Sequence, residues 1–321
     1  MLLFLLACSA DPTPPRTAPL TPLRLGWQTT WATQGQVTAI LDHEQLLTEA
    51  GFSTTLVPFA YGGPLNEGAL AGAVDVLFTA DQPALILHAK DPSWDVAGRL
   101  MYNRVGTLVP AEGGAAALEA LRGKTLAVPF GAAAQREAYR ALQGVGLDPA
   151  RDLSVKNLGI EEILSLTAAG ASGGRWGEVD AVAVWDPAFA QLEAGGARPV
   201  ADGTAVGLVL VSTAWREANP GAEGRFLTAL AAAWRVWRAD PVGPNAWFEA
   251  LAKADYPDGV LNRAAAVEPN LSPTEPIRTT LSDDDVRRLE QVADFMSAAG
   301  LLKSPVDVRG ALLPGATAEP R

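Results

Sequence analysis

A buried-strand run that stops abruptly at an aromatic, a carboxylate and a proline occupies Gly177-Glu178-Val179-Asp180-Ala181-Val182-Ala183-Val184-Trp185-Asp186-Pro187. A short apolar run bounded by such punctuation reads as a strand covered on both faces, which is how parallel sheets look in sequence. The pattern has a precedent at Gly72-Ala73-Val74-Asp75-Val76-Leu77-Phe78-Thr79-Ala80-Asp81-Gln82-Pro83. In open α/β sheets ligands bind outside the carboxyl ends of the strands, where the chain turns into the next helix. Two matching corners of this kind predict two similar lobes facing each other across a cleft.

The rest of the chain fits that scheme. Strands are expected at Leu23–Trp27, Thr54–Phe59 and Val74–Thr79, then at Lys124–Pro129, Leu153–Leu158 and Val179–Trp185, with helical patterns between them. Alternation of this sort implies mainly parallel sheets. Val96–Val109 and Ala205–Ser212 read as strands that cross between the lobes. Phe226, Leu230, Trp234 and Trp237 form an apolar helical stripe, and Ser282 with Asp283 to Asp285 opens another helix. Leu302 to Arg321 is expected to be a loose tail.

Composition narrows the function. The chain has 321 residues, room for two ordinary domains, with 48% hydrophobic and 19% charged residues. A net charge of −11 argues against nucleic acid, which needs clustered Lys and Arg. An acidic chain can still hold an anion, because helix N-termini present unpaired amides. The two histidines, His43 and His88, have no second ligand at metal spacing, so neither a metal nor a cofactor is expected. There is no Gly-x-Ser-x-Gly elbow, phosphate-loop lysine motif or dinucleotide fingerprint.

The single cysteine, Cys8, lies in Leu5-Leu6-Ala7-Cys8-Ser9, the pattern of a lipoprotein cleavage site at which the cysteine is lipidated. The apolar run before it is shorter than the usual signal core of about 7–15 residues. Residues 1–8 are therefore expected to be a truncated lipoprotein signal whose true start lies upstream. Residues 9–22, rich in Pro and Thr, would form a semi-extended tether. Residues 23–105 with 207–321 would make lobe 1 and its C-terminal helices, and 106–206 lobe 2.

These landmarks resemble the solute-binding proteins of bacterial ABC importers. The likeness is to the branch named for nitrate, sulfonate, taurine and bicarbonate, which includes thiamine-precursor binders. The residues that carry it are Leu25-Gly26-Trp27-Gln28, Val57-Pro58-Phe59, Leu70 to Asp75, Thr79 to Pro83, Gly123 to Val128 with Gly131, and Gly177 to Pro187. The resemblance implies a two-lobed periplasmic-binding-protein fold of type II, with two mainly parallel sheets flanked by helices and joined by two crossing strands. It also implies a receptor, expected to be monomeric, that closes on a small organic solute and docks on an ABC permease in the inner membrane. With Cys8 lipidated, that receptor would sit in the periplasm or at the cell surface, anchored by lipid. A sensory lipoprotein is the alternative. An enzyme like the pyrimidine synthase of the same fold is disfavoured, because that group carries a cysteine-rich motif.

The corners expected to meet the solute are Trp27, Gln28, Thr29, Trp31 and Gln34; Tyr61 and Gly62; Thr79, Asp81 and Gln82; Phe130, Gly131, Ala132 and Ala133; and Trp185 with Asp186. Sulfonate and taurine binders usually place Ser or Thr after the glycine, where this chain has Ala132-Ala133-Ala134. The corners themselves contain no Arg or Lys. Aromatic rings and carboxylates suit a neutral, zwitterionic or cationic solute with a flat or apolar body. Asp81 and Asp186 could equally be helix caps, and Trp27 and Trp185 could be core.

Overall fold

In the computed structural model, residues 19–318 are described; Cys8 and the signal expected at 1–8 lie outside them. The strands are β1 (Thr21–Gln28), β2 (Phe52–Phe59), β3 (Val76–Ala80), β4 (Trp94–Val109), β5 (Thr125–Val128), β6 (Ser154–Asn157), β7 (Ala181–Trp185) and β8 (Arg198–Ser212). They form one mixed sheet of eight strands in the order β2-β1-β3-β8-β4-β7-β5-β6. β1 is parallel to β2 and β3, and β5 is parallel to β6 and β7. The outer triplets thus share one order, with the first strand in the middle. The two sheets expected from the sequence are continuous because β4 and β8, of 16 and 15 residues, pair antiparallel along their length and belong to both.

The repeated Val-Asp step does the same job in each triplet. Asp75, just before β3, accepts the Arg24 N–H of β1 at 2.8 Å, and Asp180, just before β7, accepts the Thr125 N–H of β5 at 2.9 Å. Each carboxylate staples the start of the central strand to its neighbour, which sets the register that brings the carboxyl ends level. β3 and β7 are apolar and buried nearly throughout, as strands covered on both faces must be.

Near the middle the sheet splits. Pairing of β7 with β4 ends at Val105↔Trp185, and pairing of β3 with β8 ends at Gly207↔Ala80. Beyond those points the outer edges of β4 and β8 lack a neighbouring strand, and side chains replace it. Glu268 accepts the Tyr102 N–H at 2.7 Å, and Asp81 accepts the Val206 N–H at 3.0 Å. An unpaired buried amide is costly, so a carboxylate at each position stabilises the parting of the sheet.

Two sequence expectations need correction. β8 begins at Arg198, well before Ala205. Its polar first half shows no apolar pattern and is extended because β4 pairs with it. The tail is not loose: Ala311 and Ala316 are buried, and Leu312 and Thr317 bridge to Val96 and Leu281. Trp234 and Trp237 are buried and stacked 5.4 Å apart, as core residues.

Candidate functional site

Four helices start at the carboxyl ends of the parallel strands and point their first turns at one place. They are Ala32–His43, Gly62–Leu70, Asp81–Lys90 and Ala133–Gly144, with N-caps Trp31, Tyr61, Ala80 and Ala132. All four N-cap residues line a single small cavity of ≈ 20 Å³, together with Gln28, Gly62, Pro83, Asn103, Val105, Ala133, Trp185 and Ala205. None of the four caps donates or accepts through its side chain to its own helix. The first N–H groups of a helix have no intrahelical partner, and the aligned peptide dipoles add positive potential there. The missing hydroxyl after Gly131 therefore has a second meaning: an uncapped N-terminus keeps its amides free for something else.

The structure brings Gln28, Trp31, Tyr61, Gly62, Ala132, Ala133 and Trp185 together at the cavity wall. Gln28 is fixed by donating to the Phe78 carbonyl at 3.0 Å. Trp185 donates its indole N–H across the cleft to the Thr30 carbonyl at 3.0 Å and sits 6.3 Å from the Tyr61 ring. A side-chain carbon at Gly62 would come within 2.8 Å of Pro83, so the close approach of these two helix starts requires glycine there.

The other expected residues lie outside that wall. Trp27 is buried against Phe248, Ala32 and Ala39. Gln34 grips the Gln28 backbone at both N–H (2.6 Å) and carbonyl (3.2 Å), Thr29 donates to the Phe59 carbonyl, and Thr79 is fully buried. Gln82 reaches Gln135 at 3.4 Å. Gly131 turns with φ +81° and donates to Gln135, leaving Phe130 on the surface, 42% exposed.

The two carboxylates do not face the cavity, which removes the basis for a cationic solute. Asp81 takes Arg136 through both oxygens, at 3.0 and 3.1 Å, where the two halves of the sheet meet. Asp186 takes Arg104 at 3.0 and 3.2 Å and also accepts the Ala190 N–H, a capping contact. Burial pushes the Asp186 carboxyl above its ordinary range, against the pull of Arg104. Arg136 follows the Phe130–Gln135 corner and Arg104 lies within β4, and nothing in the sequence marked either as a partner. Asn103, buried on β4, was also missed because a lone Asn in an apolar strand carries no motif.

Known proteins agree with this architecture. No protein-family model matches the chain. It is 27% identical over 275 residues, 83% of this chain and 78% of the other, to the "Putative aliphatic sulfonates-binding protein" of Bacillus subtilis (strain 168). Among solved structures it superposes on the alkanesulfonate-binding protein SsuA from Xanthomonas axonopodis pv. citri bound to MOPS, with TM-score 0.75, 24% identity and coverage of 92% and 99% of the two chains. The periplasmic aliphatic sulphonate binding protein SsuA from Escherichia coli gives TM-score 0.73 at 21% identity, covering 92% and 98%. The desulfurization enzyme DSZB shares the fold at TM-score 0.64 and 17% identity, covering 91% and 96%. The fold is that of the periplasmic binding proteins on which it superposes. The resemblance read from the sequence holds: the chain is similar to sulfonate-binding proteins of this fold.

Proposed function

We propose that this protein is the receptor of an ABC importer and captures a small organic sulfonate at the four uncapped helix starts. One observation carries this reading: Trp31, Tyr61, Ala80 and Ala132 each begin a helix, line the same cavity and make no side-chain cap to their own helix, and only the Gln82 N–H of the third is taken up locally, by Asp81. A sulfonate is a monovalent acceptor-only group that suits several convergent N–H donors. Trp31, Tyr61 and Trp185 give its carbon chain an apolar surface. The binding proteins related to this chain support a periplasmic location and a permease partner.

The cavity of ≈ 20 Å³ is about the size of one water, so a solute enters only when the walls separate. Residues 23–105 with 207–321 and residues 106–206 would then move as two lobes about β4 and β8, with the protein a monomer held to the membrane by lipid on Cys8. A thermal-shift screen over sulfonates, nitrate, bicarbonate, pyrimidines, flavins and amines tests the assignment, since a ligand bound only by the folded state raises the melting temperature. Stabilisation by sulfonates is expected. Stabilisation by an amine or pyrimidine with none by any sulfonate refutes it.

A further inference from the structure

Two polar side chains at the cavity wall have no partner. Asn103 Oδ1 and Trp31 Nε1 are both buried, and neither atom makes a hydrogen bond among the described residues. A buried amide oxygen or indole N–H left unpaired costs free energy, so such a pair in a wall otherwise made of rings, small apolar residues and Gln28 calls for a ligand. The two atoms ask for opposite things. Indole N–H is donor-only and matches a sulfonate oxygen; the Asn103 oxygen is an acceptor and repels one. Turning the amide over would put Nδ2, a donor, in this place and favour the sulfonate itself, so the titration below also reads the orientation of the amide.

The placement of Asn103 is built into the hinge. Asn103 and Val105 share the cavity face of β4, as alternate residues of a strand do. Tyr102 and Arg104 face the other way: the Tyr102 hydroxyl binds Asp285 at 2.5 Å, and Arg104 binds Asp186 and Glu193. The buried Glu268 carboxylate takes the Tyr102 N–H and pairs with Arg99 at 2.7 and 2.8 Å, which fixes the backbone immediately before Asn103.

We propose that Asn103 is a specificity-determining residue that selects sulfonates bearing a hydroxyl or amino group over plain alkanesulfonates. The proposal rests on the sulfonate reading above and adds to it the second functional group of the solute. The ligand's donor meets Asn103 Oδ1 while its sulfonate lies among the helix starts with Trp31.

Isothermal titration of the full-length protein with 2-hydroxyethanesulfonate, taurine and ethanesulfonate tests it, because the three share a carbon skeleton. The native protein is expected to prefer the two donor-bearing solutes by about tenfold, the effect of one buried hydrogen bond. Asn103→Leu should bring that preference to within about twofold. Asn103→Ala should do the same, and ligand-free melting curves of both variants report whether they fold. Equal affinity of the native protein for all three solutes, or a preference that survives in both folded variants, overturns the role of Asn103. If the native protein binds none of the three, the sulfonate reading itself fails, and the selector falls with it.

Discussion

Breaking the Asp81–Arg136 pair should cost far more than breaking a surface ion pair, and the cost should be shared between the partners. The side chains are only 1% and 6% exposed, so solvent screens the pair little. Removing one partner of a buried pair typically costs about 3–5 kcal/mol, because the other charge is stranded. Here each survivor keeps some support. Asp81 retains the N–H groups of Val206 and Gln82, and Arg136 retains Glu137 at 3.8 Å. That places Arg136→Met and Asp81→Asn at the low end, about 3 kcal/mol each. In the double variant no charge is stranded, and the total should be nearer about 4 kcal/mol than 6, a coupling of about 2 kcal/mol. Urea unfolding followed by tryptophan fluorescence measures all four corners of the cycle. Costs that add to within about 0.5 kcal/mol would show that the two groups do not interact, and the account of how the sheet halves are joined would be wrong.

Other sites give sharper single outcomes. Glu268→Gln strands Arg99, which is 1% exposed, and is expected to lower stability by about 3–5 kcal/mol in urea, whereas a change under about 1 kcal/mol would deny Glu268 its place at the split in the sheet. For Asp285, burial alone would raise the carboxyl's pKa, but the Tyr102 hydroxyl, Ser282 and Arg278 together hold it below its ordinary range. A depressed folded pKa stabilises the protein above the unfolded carboxylate value, and the benefit disappears as pH falls through the folded value. The stability gap between the native protein and Asp285→Asn should therefore be full at neutral pH and close in acid; parallel pH profiles would contradict it. Trp185→Ala should weaken 2-hydroxyethanesulfonate binding by about 30-fold or more in calorimetry, the scale of losing a buried aromatic anchor, and unchanged affinity removes Trp185 from the site.

The elements of both triplets could be read from the sequence because each is written locally. An apolar run ending in Trp185-Asp186-Pro187 or Ala80-Asp81-Gln82-Pro83 marks a strand end and a helix start with no help from elsewhere. Gln28, Trp31, Tyr61, Gly62, Ala132, Ala133 and Trp185 were legible for that reason, since the carboxyl ends of parallel strands converge whatever the ligand. What failed depends on partners far away in the chain. Asp186 looked like a free carboxylate because Arg104 lies 82 residues earlier, and Asp81 because nothing marks Arg136 as facing it. Trp27 ends its strand as Trp185 does, yet it is buried against Phe248 of a C-terminal helix. The polar start of β8 is a strand only because β4 is there to pair with it.

The matched corners also explain how a chain of net charge −11 can present a site for an anion. At the equivalent position in each half, one residue beyond the cavity wall, stands a buried aspartate, and each is neutralised by an arginine from another element. With both carboxylates paired, no ionised side chain lines the cavity, and the helix starts supply the local potential. The halves differ at the cavity wall. The first offers Ala80, small enough to let backbone amides approach, and the second offers Trp185, whose indole N–H is already held by Thr30 across the gap. One side can therefore supply hydrogen bonds from the backbone while the other supplies surface area. Trp185 couples the two directly, because the ring that lines the cavity is also the ring that ties one half to the other. If the proposed capture proceeds by closure, separating the walls breaks the Trp185–Thr30 bond, and capture and closure then depend on the same side chain.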